Sequence, residues 1–178
     1  MTTITFVTGS NNKVAEAKAI LPFTIKNKQI DLDEIQTLDA EQVVHHKLHQ
    51  AFRIVGGPVM VDDVSAELES LNGLPGPFIK FFEQKLGQDA LYKLVKTKND
   101  RVKITCHLGY CDGQKEIIVK GVLYGTVVSP RGENGWGFDK VVMPDGQTRT
   151  MAEMSPEEKN NISHRYLALK LLAEKLHP

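Results

Sequence analysis

The sequence predicts a mixed α/β fold, and three observations carry that expectation. Ile4-Thr5-Phe6-Val7 is a β-rich run followed by a small polar loop and a helical pattern through Leu21. Pro58-Val59-Met60-Val61 reads as a second buried strand, and it finishes in Asp62-Asp63. Val102 to Cys111 and Glu116 to Val128 form two long strand patterns joined at Asp112-Gly113, a hairpin signal. Strands that alternate early with helices and end in a hairpin imply a mixed sheet in one domain over residues 1–178.

The elements follow in order. After the first strand, Thr8-Gly9-Ser10-Asn11-Asn12-Lys13 leads into a helix with Ser10 or Asn11 as cap and Pro22 as its stop. Strand, polar loop and helix start turn backbone N–H groups toward an anion, and Lys13 adds a charge there. The loop is not a Walker sequence, and by itself it fits either a phosphate site or an ordinary cap. Phe23 to Asn27 suggests another strand. Asp39 is a candidate cap, with Gln42 completing a capping box, for a helix over residues 40–55.

That helix carries His45, His46, Lys47 and His49. His45 and His49 are one turn apart, but His46 stands where a zinc-helix motif needs Glu, so a solvated polar face is the expectation. Asn72 to Pro77 reads as a rigid turn and Phe78 to Phe82 as the start of a helix with a core-facing aromatic stripe. A helix over 89–95, a charged turn over 96–100 and a flexible loop over 129–135 come next. Ser155-Pro156-Glu157-Glu158 opens a helix with Pro at its first position, and an apolar helix runs from Tyr166 to Leu176.

Twenty-two basic and 22 acidic residues cancel, so no overall field draws the chain to nucleic acid or anionic lipid. No apolar run reaches membrane-span length and the first residues lack a basic leader, which makes the cytoplasm the default compartment. Cys106 and Cys111 sit five apart in one strand pattern, on opposite faces, and read as inert core thiols. Asp62-Asp63 is costly at a strand end unless a cation meets it; a divalent metal and a water-facing acidic turn both fit these residues.

Taken together, Thr8-Gly9…Lys13, Asp62-Asp63 with Gly73-Leu74-Pro75-Gly76, and Glu158-Lys159-Asn160…Ser163-His164-Arg165 resemble the inosine triphosphate pyrophosphatase family almost end to end. The resemblance implies an elongated mixed sheet flanked by helices, with an active-site cleft between two lobes. It also implies a homodimer with no nucleic-acid or membrane partner. The implied activity is Mg²⁺-dependent hydrolysis of ITP, dITP and XTP to the monophosphate and pyrophosphate.

By the same resemblance, Thr8, Gly9, Ser10, Asn11, Asn12 and Lys13 form the phosphate loop, with Ser10 where Asn is usual. Glu34 and Asp63 are metal ligands, Lys13 and Asp63 are catalytic, and Lys47 contacts substrate. Val64 replaces a usual Ser or Thr. Trp136-Gly137-Phe138-Asp139 matches the base-binding segment, with Lys140 where Pro is usual, and both rings are expected to stack on a purine. Lys159, His164 and Arg165 match base- and phosphate-side residues, and Arg165, His164 or a backbone group could donate to a 6-oxo group. Whether Asp62 or Asp63 activates water stays open. A related pyrophosphatase acting on modified pyrimidine nucleotides or 7-methyl-GTP, and a binding module without turnover, are the alternatives.

Overall fold

The computed structural model describes residues 2–95 and 99–176. Part of the charged turn expected over 96–100 therefore lies outside the described residues. The strands are β1 (Thr3–Val7), β2 (Thr24–Lys28), β3 (Val59–Leu68), β4 (Pro75–Gly76), β5 (Arg101–Cys111), β6 (Glu116–Val127) and β7 (Val142–Pro144). The α-helices are α1 (Asn11–Ile20), α2 (Ala40–Val55), α3 (Ile79–Leu86), α4 (Ala90–Leu94), α5 (Pro156–Asn160) and α6 (His164–Leu176). The sheet runs β2-β1-β3-β5-β6-β7, with β4 pairing β3. It is mixed, because β1 pairs β2 and β3 in parallel while β3–β4 and β6–β7 are antiparallel.

By compactness the chain divides into two units, whose boundaries fall within β3, β5, β6 and the start of α6. The first comprises Met1–Asp63, Cys106–Gly121 and Arg165–Pro178. Its first strand buries Ile4 and Phe6 completely. Helix α2 buries Ala40, Val43, Val44, Leu48 and Ala51, the spacing of one helical stripe, and Val44 and Leu48 join Val7, Val59 and Val61 in a core cluster. Asp39 caps α2 by accepting from the Glu41 and Gln42 backbones. The expected capping box does not close: the Gln42 amide reaches the Asp39 carboxylate, and the Asp39 N–H goes to Thr37 Oγ1 instead.

Gly109 on β5 lets α2 approach closely, since a Cβ there would lie 2.9 Å from Val44 Cγ1 and 3.1 Å from Leu48 Cδ2. Val44 is β-branched and fully buried, so it has little freedom to yield. Gly109→Ala is expected to cost about 1–3 kcal/mol, read as a lower urea midpoint at an unchanged slope.

The second unit comprises Val64–Thr105 and Val122–His164. Its core gathers Leu68, Ile79, Leu91, Ile104, Val127, Phe138, Val141 and Met151. Phe81 departs from the expected core stripe of α3, being 53% exposed, while Phe82 packs against the cluster. The loop over 129–135 is tied down: Arg131 N–H donates to the Lys140 carbonyl, Asn134 N–H to Ala152, and Thr150 Oγ1 to the Arg131 carbonyl.

One expectation about the strands changes. Asp62 and Asp63 do not end β3, which continues through Leu68. The strand is followed directly by a 3₁₀ turn, Glu69–Leu71. An apolar run marks the buried part of a strand, but pairing continues wherever a neighbour accepts it; here β4 pairs with Ala66 and Glu67. Among the described residues no helix is long and apolar enough to cross a membrane.

Candidate active site

Adjacent residues of a strand point to opposite faces, and that rule sends the two carboxylates into different surroundings. Asp62 is 3% exposed and faces α1 and α6: Lys13 Nζ lies 2.9 Å from its Oδ1 and Arg165 Nε 3.0 Å from its Oδ2. Arg165 Nη1 also donates to Glu16 Oε2 at 2.8 Å. Burial by itself would push the Asp62 carboxyl up, but Lys13 and Arg165 overcome it and hold the group well below the usual carboxylate range. The same carboxylates raise the basicity of Arg165 against the effect of its own burial.

Asp63, on the other face, meets α2. Lys47 Nζ lies 3.1 Å from Asp63 Oδ1, 3.1 Å from Glu34 Oε1 and 3.4 Å from the Asp62 carbonyl oxygen. Burial raises the Asp63 carboxyl, and Lys47, one cation shared between two carboxylates, does not fully offset it. Burial opposes the Lys47 charge, yet Asp63 and Glu34 leave its affinity for a proton raised. Three oxygen donors, Glu34 Oε1, Asp63 Oδ1 and the Asp62 carbonyl, thus converge on one cationic position. Hard oxygen donors of this kind suit Mg²⁺.

The loop from Thr8 to Lys13 lies in the same unit. Ser10 is the cap of α1: its Oγ accepts from Lys13 N–H, and its own N–H donates to Thr8 Oγ1. Asn27 Nδ2 holds the Thr8 carbonyl at 2.9 Å. Gly9, Asn11 and Asn12 are exposed, and N–H groups in a first helical turn have no intrahelical acceptor. The start of α1 can therefore receive an anion beside Lys13.

The remaining expected residues form a constellation in the second unit. Asp139 is 2% exposed; its Oδ2 accepts from Trp136 N–H at 2.8 Å and from Lys159 Nζ at 2.7 Å. The Lys159 ammonium lies 5.2 Å from the Trp136 ring centroid, within cation–π range. Gly135, at φ +79°, is needed because a Cβ there would run into the Asp139 carboxylate. Gly137 starts the 3₁₀ turn Gly137–Lys140, which directs Phe138 inward. Phe138 is 7% exposed in the core, with its ring centroid 6.0 Å from that of His164, so the expected pair of stacking rings reduces to Trp136. Val64 is half-buried against the same core.

The structure thus brings Thr8–Lys13, Glu34, Lys47, Asp63 and Arg165 together in the first unit, and Trp136–Asp139, Lys159 and His164 in the second. Arg165 was expected near the base, but its Nε and Nη1 go to Asp62 and Glu16. Sequence reasoning missed Glu16, whose signal was its place three residues after Lys13 on the same helical face. It also missed that Cys106 would lie 3.9 Å from Asp62 Oδ2; burial pushes this thiol up to about 12, which makes it inert as expected. Cys111 is only half-buried.

The Ham1 family model matches residues 4–175. The chain is 40% identical over 190 residues to the inosine triphosphate pyrophosphatase of Scheffersomyces stipitis, covering 98% of this chain and 97% of that protein. It is 43% identical over 176 residues to the enzyme of the same name from Schizosaccharomyces pombe, covering 96% and 93%. Among solved structures, the Staphylococcus aureus Ham1 protein superposes with a TM-score of 0.84 at 26% identity, over 98% of each chain. With a family model matched over nearly its whole length and two such relatives at 40% identity or more, the chain belongs to the Ham1 family.

Proposed function

We propose that the chain hydrolyses non-standard purine nucleoside triphosphates, ITP, dITP and XTP, to the monophosphate and pyrophosphate with Mg²⁺. The observation that carries this reading is the convergence of Glu34, Asp63 and the Asp62 carbonyl on one cationic position, in the same unit as the anion-receptive start of α1. The relatives named inosine triphosphate pyrophosphatase support the same reading.

Glu34 and Asp63 would hold the ion, which when bound neutralises phosphate charge and eases departure of pyrophosphate. Lys13, fixed by Asp62, and the first N–H groups of α1 bind phosphate oxygens. Lys47, which bridges Glu34 and Asp63 in the ion's place, would yield those oxygens to the ion and turn its charge to the phosphates. Water attacks the α-phosphorus; its proton goes to a carboxylate while the bridging oxygen leaves with pyrophosphate. Asp62 is the poorer base, because its two oxygens are engaged by Lys13 and Arg165 and its proton affinity is depressed. Asp63, met by one cation rather than two, would take that role through the carboxylate oxygen not given to the ion. Arg165 supports the reaction by positioning Asp62.

Trp136 stacks on the purine, held by the Asp139–Lys159 pair, and His164 or a backbone N–H donates to the 6-oxo group. Adenine presents an amino donor there and forfeits that hydrogen bond, a loss of about 1–3 kcal/mol. Residues 1–178 act as one catalytic domain, in the cytoplasm and as a homodimer.

The test incubates the protein with Mg²⁺ and a panel of ATP, GTP, ITP, XTP and modified pyrimidine triphosphates. Pyrophosphate from ITP and XTP, lost on chelation of the metal, is the expected result. Orthophosphate as first product, preferential turnover of pyrimidines, or binding without product overturns it.

A further inference from the structure

Helix α2 carries a second polar cluster besides that around Lys47. His45 and His49, one turn apart, stack with ring centroids 4.3 Å apart. Their Nε2 atoms converge on a single carboxylate that opens β6: His45 Nε2 lies 3.0 Å from Glu116 Oε1, and His49 Nε2 lies 2.9 Å from Glu116 Oε2. The three ligand atoms all fall within 4.8 Å of one another, and the side chains remain 54%, 50% and 36% exposed. They border a surface cavity of about 530 Å³, which Gln42, Phe52 and Cys111 also line.

We propose that His45, His49 and Glu116 form a binding site for a divalent transition-metal ion of the zinc(II) class, separate from the oxygen donors Glu34 and Asp63. Tetrahedral zinc with ligands at ~2.1 Å keeps its donors roughly 3.4 Å apart, so N···O separations of 2.9 and 3.0 Å need only a small opening to admit the ion. Two imidazoles and one carboxylate suit zinc, nickel or copper, whereas Mg²⁺ prefers an all-oxygen set. Three protein ligands leave a fourth position for water, and the adjoining cavity gives it room. The His pair by itself lacked a third ligand; Glu116, 67 residues beyond His49, supplies it through the packing of α2 beside β6. A bound ion would fasten the helix that carries Lys47 to the start of that strand.

The test titrates the full-length, metal-free protein with Zn²⁺ alone, followed by calorimetry, and with Co²⁺, followed by its visible absorption. One equivalent of Zn²⁺ is expected to bind with a Kd of about 1 μM or tighter, in the presence of excess Mg²⁺. Co²⁺ is expected to give the intense absorption of a four-coordinate ion. His49→Ala and Glu116→Gln, both at exposed positions, should each weaken Zn²⁺ binding at least about 10-fold, since even indirect supports of a metal site are worth that much. Asp63→Asn should leave it unchanged. Binding that survives both His49→Ala and Glu116→Gln, binding lost in Asp63→Asn, or none at about 100 μM protein overturns the proposal.

Discussion

Asp63→Asn is expected to lower the rate of pyrophosphate release from ITP by about 100- to 10,000-fold, the range associated with removing a positioned acid–base group. Asparagine keeps the shape of the side chain but accepts no proton at neutral pH and contributes no charge toward a metal. The fold should survive, because the ionised carboxylate is itself opposed by burial and its partner Lys47 keeps Glu34 and the Asp62 carbonyl. Urea denaturation and a pyrophosphate-coupled assay on the same preparation separate the two effects. Near-normal turnover by a folded variant would remove Asp63 from the reaction. A similar loss in Asp62→Asn accompanied by a large drop in stability would fit the positioning role assigned to that residue.

The largest effect on stability is expected from Arg165→Met. Arg165 and Asp62 have side chains only 2% and 1% exposed, and removal of the guanidinium takes one of two ion-pair partners from Asp62, leaving Lys13, and removes that contact from Glu16. Breaking one side of a buried pair costs about 3–5 kcal/mol, because the remaining charge stays desolvated. A double variant, Arg165→Met with Asp62→Leu, should recover part of that loss, which a double-mutant cycle measures. Additive losses would show that the two residues do not act as a pair.

The pH dependence follows from the same contacts. A carboxyl whose folded pKa is depressed stabilises the protein fully above its unfolded value, about 3.9, and loses that contribution as the pH falls toward the folded value. The wild type should therefore lose stability on acidification below about pH 4–5 more steeply than a variant in which Asp62 is Leu. Equal slopes would contradict the assignment of Asp62 as an ion-paired anion.

The boundaries of α2 were legible because Asp39 stands before Ala40 as a cap, and that cap holds although the Gln42 half of the expected box does not close. The cap of α5 was readable for the same reason, with Ser155, Pro156 and Glu158 at their usual positions. The length of β3 was less accessible. Its end depends on pairing with Pro75–Gly76, and a single strand's sequence does not contain its neighbour. The inward turn of Phe138 was hidden as well, since two aromatics flanking a glycine look alike until a 3₁₀ turn separates them.

What the sequence determined by itself was the inventory and the local geometry. It supplied paired acids on a strand, a polar loop before a helix with Lys13, and a late Lys159…His164-Arg165 segment, in an order that already marked the family. What only the tertiary structure decided was which charges meet. Asp62 and Asp63 are neighbours in sequence, and nothing in that dipeptide distinguishes them. The pleat of β3 turns one toward Lys13 and Arg165 and the other toward Lys47 and Glu34. Proton affinity depends on the charges and the solvent around a group, so two identical side chains emerge with opposite shifts. The same holds on the other face of α2, where Glu116 meets His45 and His49 only because the chain folds back across 67 residues.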